Sequence, residues 1–303
     1  MRLSDVAHIV ELRTKLVSVF SFGVALSAVM GYGTLTSLAA AVLFLVTLIG
    51  IDMGTTAFNT YFDFIRGTDS HTYTREPDKV LLEGHIQPGS AFFISLALYA
   101  VSGLGGLVLV LMHGPWLLLV GFGGAAVGFL YNAGPWPISS GPLGELFAGL
   151  FLGAAVVLTF AYMNHIDTWP AVLLIAGGQT SIVAAILTVN NACDRVGDKA
   201  AGRRTLSVLL GPGSAIPLLS TLCTVALLLH ASAAWLYPSG MVNLMPDRIG
   251  TAIILLVVSL YTVRSLTLMF QTGFSHETKP HRMRDVLRLF VACSAAAVAM
   301  SLL

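Results

Sequence analysis

The chain has 303 residues, of which 56% are hydrophobic and only 10% charged, with a formal net charge of +1 and a mean hydropathy of +0.83. A soluble domain carries about 25% charged residues, so this composition excludes a water-soluble globule and predicts a multi-pass, all-α membrane bundle forming one domain over residues 1–303. No basic stripe supports nucleic acid as a partner. The three distant cysteines imply no disulfide framework, and eight histidines without an HxxxH pair argue against a zinc enzyme.

Met1–Lys15 carries Asp5, Glu11, Arg13 and Lys15, a poor match to a signal-peptide n-region. Residues 1–16 are expected to form an amphipathic helix on the membrane surface. Apolar runs long enough to span a bilayer, roughly 20 residues each, follow at 17–33, 37–62, 90–112, 116–131, 144–162, 169–193, 214–236, 249–271 and 286–303. Nine transmembrane helices are therefore expected. Gly103–Gly106 and Gly121–Gly124 read as packing seams, because small residues let membrane helices approach closely.

Orientation follows from Lys and Arg. With the N-terminus in the cytoplasm, every Lys and Arg except Arg248 falls on or near that side, a decisive positive-inside bias. The long polar loops 64–88 and 194–212 and the basic segment 275–288 are then cytoplasmic. The localisation expected is a cell (inner or plasma) membrane.

On the second predicted helix, Asp52, Asn59 and Asp63 are spaced by seven and four residues and share one face. Asp52 falls within the hydrocarbon, where a carboxylate must face the bundle interior or water; it is either functional or a protonated or hydrogen-bonded structural residue. On the sixth predicted helix, Asn190, Asp194 and Asp198 stack at i, i+4 and i+8, followed by Lys199, Arg203 and Arg204 with Gly202 to break the helix. Carboxylates beside a cationic loop at the mouth of an apolar segment suit a metal ion held together with a polyanion. The alternative is a solvated helix end whose charges pair with one another. Four helices separate the two polar ends, so both face the same side, as two parallel half-repeats would arrange them. They can border one central cavity open to the cytoplasm.

These stretches resemble the UbiA-type intramembrane aromatic prenyltransferases. The family's first motif, NDxxDxxxD, is matched in part by Asn59 to Asp69, and its second, DxxxD, by Asp194 and Asp198. Within the family the chain looks most like the 1,4-dihydroxy-2-naphthoate polyprenyltransferases of menaquinone synthesis. That likeness rests on Gly67-Thr68-Asp69, on Tyr131–Pro137 followed by Gly141–Glu145, and on Ala201–Leu206 running on to Gly211. The chain departs from the pattern where Thr60 replaces the first Asp and the third Asp is displaced to position 69. One metal ligand is then lost, or is taken over by Asp69, Glu76 or Asp78.

The resemblance implies Mg²⁺-dependent transfer of a polyprenyl group from its diphosphate to an aromatic acceptor. The acceptor would be 1,4-dihydroxy-2-naphthoate, decarboxylated to give demethylmenaquinone and pyrophosphate, or else one of the 4-hydroxybenzoate or homogentisate type. It implies Asp63, Asp69, Asp194 and Asp198 as catalytic and, with Asn59, metal-holding residues. Arg66, Lys79, Lys199, Arg203 and Arg204 would contact the diphosphate, and Tyr131 and Asn190 would also touch substrate. Membrane lipid is an expected partner; no oligomeric state is assigned. From another class, an ion-coupled transporter would also carry an intramembrane carboxylate and half-repeats, but its site belongs near the midplane.

Overall fold

The computed structural model describes residues 3–69, 80–84, 86–237 and 245–303. Among the described residues all regular structure is helical, in chain order α1 Leu3–Ile9, α2 Leu16–Tyr32, α3 Leu38–Ile65, α4 Pro88–His113, α5 Trp116–Asn132, α6 Gly144–Gly149, α7 Ala155–Met163, α8 Trp169–Ala200, α9 Leu206–Leu210, α10 Ala215–Leu236, α11 Met245–Thr272 and α12 Lys279–Leu302. The π-helical segment Leu150–Ala154 joins α6 to α7 as one span. Among the described residues eight helices are long and apolar enough to cross a membrane, and α5, with 17 residues, is a shorter apolar helix. All nine expected runs are therefore helical, and the chain is a multi-pass membrane protein.

Local chemistry sets several boundaries. Ser37 caps α3 by accepting a hydrogen bond from the Ala40 amide. Proline stands in the first turn of α4, α8 and α12, where its missing N–H costs nothing.

The N-terminal segment differs from the single surface helix expected over residues 1–16. Helix α1 ends at Ile9, Glu11 adopts a left-handed conformation, and a 3-10 turn over Leu12–Lys15 leads into α2. Ile9 and Val10 are buried with Ala57 of α3 and with Val80, Leu81 and Ile86. This contact fixes α1 against the protein and accounts for the turn that redirects the chain.

Two apolar cores share α8. One gathers Val24, Phe44, Phe160 and Ile175 from α2, α3, α7 and α8; the other gathers Val183, Leu219, Phe290 and Cys293 from α8, α10 and α12. Lipid tails are as apolar as Leu, so close packing and hydrogen bonds must hold such a bundle. A Cβ on Gly149 would lie 2.5 Å from the Thr180 carbonyl oxygen, and one on Gly153 2.7 Å from the Thr180 amide nitrogen. Here the π-helical span meets α8 backbone to backbone. At the expected seam Gly121–Gly124 a Cβ on Gly124 would lie 4.0 Å from the Phe151 ring, whereas among the described residues nothing lies within 4 Å of one at Gly121 or Gly123. Gln179 of α8 donates to Ser21 of α2 at 3.0 Å and to Ser294 of α12 at 3.5 Å, a polar tie through the core.

Candidate functional site

Helices α3 and α8 end by the same local device. After Ile65, Gly67 takes φ +68, its amide bonds the Phe64 carbonyl at 3.1 Å, and the Thr68 amide bonds the Asp63 carbonyl at 3.0 Å. After Ala200, Gly202 takes φ +75, its amide bonds the Lys199 carbonyl at 3.2 Å, and the Arg203 amide bonds the Asp198 carbonyl at 2.9 Å. Both are Schellman motifs, which need a residue tolerant of positive φ after the helix. In each, an Asp stands four residues before the Gly. The Asp69 amide returns to the same Asp63 carbonyl at 3.2 Å, so the displaced acid folds back beside Asp63.

Position 60 faces elsewhere. The Thr60 hydroxyl is buried and donates to the Ile9 carbonyl at 3.0 Å, so the residue in place of the family's first Asp points at α1. Asn59, one residue and about 100° away, is half-buried. Asp52 is a structural ion-pair residue: Lys15 lies 2.6 Å from Oδ1, and Ser18 donates to Oδ2 at 2.6 Å. Lys15 is itself buried and also donates to Thr56 at 2.7 Å.

The second acidic end is braced by cations. Lys279, the first residue of α12, sits 2.7 Å from Asp194 Oδ2. Asp198 is buried, with Arg203 Nη1 3.0 Å from Oδ1 and the Thr205 hydroxyl 3.3 Å from Oδ2. Arg203 Nη2 also donates to the Ser139 carbonyl at 2.8 Å, and the Arg204 amide to the Ser140 carbonyl at 2.8 Å. The loop after α8 is thus bound to the segment before α6. Lys199 and the Arg204 side chain are exposed.

Arg66 is committed to the protein: its guanidinium donates to the carbonyls of Asn132 and Gly134 and lies 5.1 Å from the Phe62 ring centre. It clasps the end of α5 to α3. Tyr131 donates to the Gly144 carbonyl at 3.3 Å and is within electrostatic reach of Asp63, Glu145 and Arg203. Asp198 is in turn within electrostatic reach of Asp194 and Lys279. The two acidic ends therefore border one region at the same end of the bundle. Among the described residues, no three carboxylate, His or Cys side chains stand close enough to hold a metal ion by themselves. Lys79, Glu76 and Asp78 lie outside the described residues.

Sequence reasoning missed three residues here. Asn191, rather than Asn190, is buried and donates to Glu145 Oε1 at 2.8 Å. Glu145, four residues into the Gly141–Glu145 stretch, had the signal of an acid at the head of an apolar helix. By sequence Lys279 is indistinguishable from the other cations of the basic segment 275–288. A cavity of about 490 Å³ lies elsewhere, between α10 and α11, lined by residues such as Ile216, Thr224, Leu255 and Thr262; none of the candidate site residues borders it.

The match to the UbiA prenyltransferase family runs over residues 18–271. The chain is 32% identical over 200 residues to the 1,4-dihydroxy-2-naphthoate octaprenyltransferase of Bacillus subtilis, covering 64% of each. It is 31% identical over 186 residues to the protein of the same name from Mycobacterium tuberculosis, covering 61% of this chain and 63% of that one. The alignments thus span just under two thirds of these relatives' own length. The fold is similar to that of a UbiA homologue from Archaeoglobus fulgidus bound to DMAPP and Mg²⁺, with a TM-score of 0.66, 18% identity and coverage of 97% and 99%. It is also similar to the apo UbiA homologue of Aeropyrum pernix K1, with a TM-score of 0.68, 20% identity and coverage of 92% and 96%. With both acidic motifs inside the matched span, the chain belongs to the UbiA prenyltransferase family.

Proposed function

We propose that this protein transfers a polyprenyl group from polyprenyl diphosphate to 1,4-dihydroxy-2-naphthoate, in a cell membrane with the acidic helix ends facing the cytoplasm. The single observation that carries the reading is the pair of matched acidic helix ends, Asp63 on α3 and Asp198 on α8, bordering one region beside exposed cations. The names of the relatives supply the acceptor. The cation distribution along the chain supports the orientation.

In the reaction an allylic C–O bond breaks and pyrophosphate leaves. A C–C bond forms at the ring carbon that bears the carboxylate, and CO₂ departs, leaving the quinol form of demethylmenaquinone. The donor set fits a hard cation such as Mg²⁺: Asn59, Asp63, Asp69 and Asp194 all offer oxygen. The Lys279 contact marks Asp194 as a carboxylate disposed to take positive charge. Mg²⁺ typically uses only one or two carboxylates, with water and substrate phosphate completing its shell, so the lack of a tight three-acid cluster is compatible with it. When bound, it would neutralise the charge growing on the pyrophosphate.

The remaining work falls to the chain. Lys199, Arg204 and Lys279 bind diphosphate oxygens as charge-assisted donors. Asp198, with both oxygens engaged, holds Arg203 and its loop in place. Asp63 or Asp69 accepts the proton of an acceptor hydroxyl. Phe62 and Tyr131 line the approach and exclude water from the prenyl carbon. The transporter alternative needs a working carboxylate near the midplane, and Asp52 is already paired with Lys15.

The test incubates detergent-purified protein with Mg²⁺, a polyprenyl diphosphate and a panel of aromatic acids, and identifies products by mass. A prenylated, decarboxylated naphthoquinol with stoichiometric pyrophosphate is expected. Prenylation of 4-hydroxybenzoate alone would overturn the acceptor, and no product with any acid would overturn the reaction.

A further inference from the structure

Among the described residues, two enclosed polar atoms beside Tyr131 have no hydrogen-bond partner. Glu145 is 4% exposed. Its Oε1 takes the Asn191 amide at 2.8 Å, while Oε2 is buried without any hydrogen-bond donor. Arg203 spends Nη1 on Asp198 and Nη2 on the Ser139 carbonyl, and its Nε is buried without an acceptor. Glu145 and Arg203 lie within electrostatic reach of each other, with Tyr131 in reach of both.

Leaving a buried polar atom unpaired costs about 1–3 kcal/mol, and more for a charged group, so such atoms in a native protein call for an explanation. One orphan here accepts and the other donates. Neither satisfies the other, so a single molecule that paired both would offer a donor to Glu145 and an acceptor to Arg203. A hydroxylated aromatic acid has that pattern on a flat, apolar body. Neither a diphosphate, which is acceptor-only when ionised, nor a bare prenyl chain has it.

We propose that Glu145 Oε2 and Arg203 Nε form the subsite for the aromatic acceptor, Glu145 taking the hydrogen bond of a ring hydroxyl and Arg203 donating to the acid group. The assignment rests on the prenyl-transfer reading and deepens it. Glu145 is then a specificity-determining residue: it selects acceptors that carry a hydroxyl, and the Asn191 contact holds its carboxylate in register. The position suits the chemistry, since Tyr131 is within electrostatic reach both of this pair and of Asp63 at the other acidic end.

The test measures equilibrium binding to the full-length, detergent-purified protein with no prenyl diphosphate present. The probes are 1,4-dihydroxy-2-naphthoate and 2-naphthoate, which keeps the acid and lacks the hydroxyls. Wild type is expected to bind the dihydroxy acid at least about tenfold more tightly, as a buried hydrogen bond to a carboxylate allows. Glu145→Gln keeps the Asn191 contact but turns Oε2 into a donor; it is expected to bind both acids alike. In turnover its KM for the acceptor rises about tenfold or more while the KM for prenyl diphosphate stays within about twofold. Glu145→Asp, which keeps the charge but shortens its reach, serves if Glu145→Gln does not fold, with the same loss expected. Equal binding of both acids by wild type, or retained discrimination in the variant, would overturn the subsite and leave a bridging water as the partner of both atoms. Normal discrimination with no prenylated product would instead overturn the prenyl-transfer reading.

Discussion

Lys15→Met removes the cation that pairs with Asp52. The wild-type ammonium lies 2.6 Å from Asp52 Oδ1 and 2.7 Å from the Thr56 hydroxyl, and the paired side chains are only 6% and 10% exposed. Methionine fills similar space without charge, leaving Asp52 with the Ser18 hydroxyl at 2.6 Å. Breaking a buried pair from one side costs about 3–5 kcal/mol. At about 2–4 °C per kcal/mol for chains of this size, the melting temperature should fall by roughly 6–20 °C. Asp52→Asn should do comparable damage by stranding Lys15. The double variant Lys15→Met/Asp52→Leu should regain most of the loss, since neither charge is then unpaired. The assay is thermal unfolding of each detergent-purified protein, followed by fluorescence-detected size exclusion. Single variants melting within about 2 °C of wild type would refute the reasoning. Asn59 and Asp63 lie about two and three turns further along α3, so prenyl transfer should decline with the melting temperature in the singles and return in the double.

Gly149→Ala should lower the melting temperature by several degrees, because its Cβ would meet the Thr180 carbonyl oxygen at 2.5 Å, whereas Gly123→Ala, with nothing within 4 Å, should be neutral; equal melting of the two would refute the backbone contact. Lys279→Gln removes the 2.7 Å ion pair on Asp194, so the Mg²⁺ concentration for half-maximal stabilisation against heat should drop several-fold while the KM for prenyl diphosphate rises. An unchanged Mg²⁺ requirement would take Asp194 out of the metal set. Lys199→Ala and Arg204→Ala, both exposed, should each raise the KM for prenyl diphosphate about tenfold through a lost charge-assisted contact and leave the melting temperature alone. A change confined to the acceptor KM would reassign them.

The spans were legible because an apolar run reports its own solvent. The run read at 144–162 is helical from Gly144 to Met163, and the acidic ends were legible because i, i+4 spacing places residues on one face without a partner. What escaped the sequence depends on partners distant along the chain. Lys15 reads as a surface cation until α3 brings Asp52 to it from 37 positions away. Asn190 and Asn191 are equal candidates by sequence, and only the approach of Glu145, 46 positions before Asn191, distinguishes them. The π-helical segment was equally hidden, since its glycines matter only against Thr180. The break at Glu11 follows from burial of Ile9 and Val10 with Val80, Leu81 and Ile86, which no local pattern of residues 1–16 encodes.

The placement of the acids is itself an argument about purpose. A helix C-terminus carries partial negative charge from its unsatisfied carbonyls, so cations are favoured there and each carboxylate works against about 0.3–1 kcal/mol. Asp63 stands in the last turn of α3, and Asp194 and Asp198 stand in the last two turns of α8. A chain selected only for stable helices would put lysine or arginine at these positions, as Lys199, in the last turn of α8, shows it can. Instead both ends gather negative potential from dipole and side chains together, and both close with the same Asp-x-x-x-Gly turn. Lys279 and Arg203 offset part of it at α8. That electrostatic tension at two matched helix ends has a natural resolution in a divalent cation and the polyanion it carries, which is the load that prenyl transfer would bring to this end of the bundle.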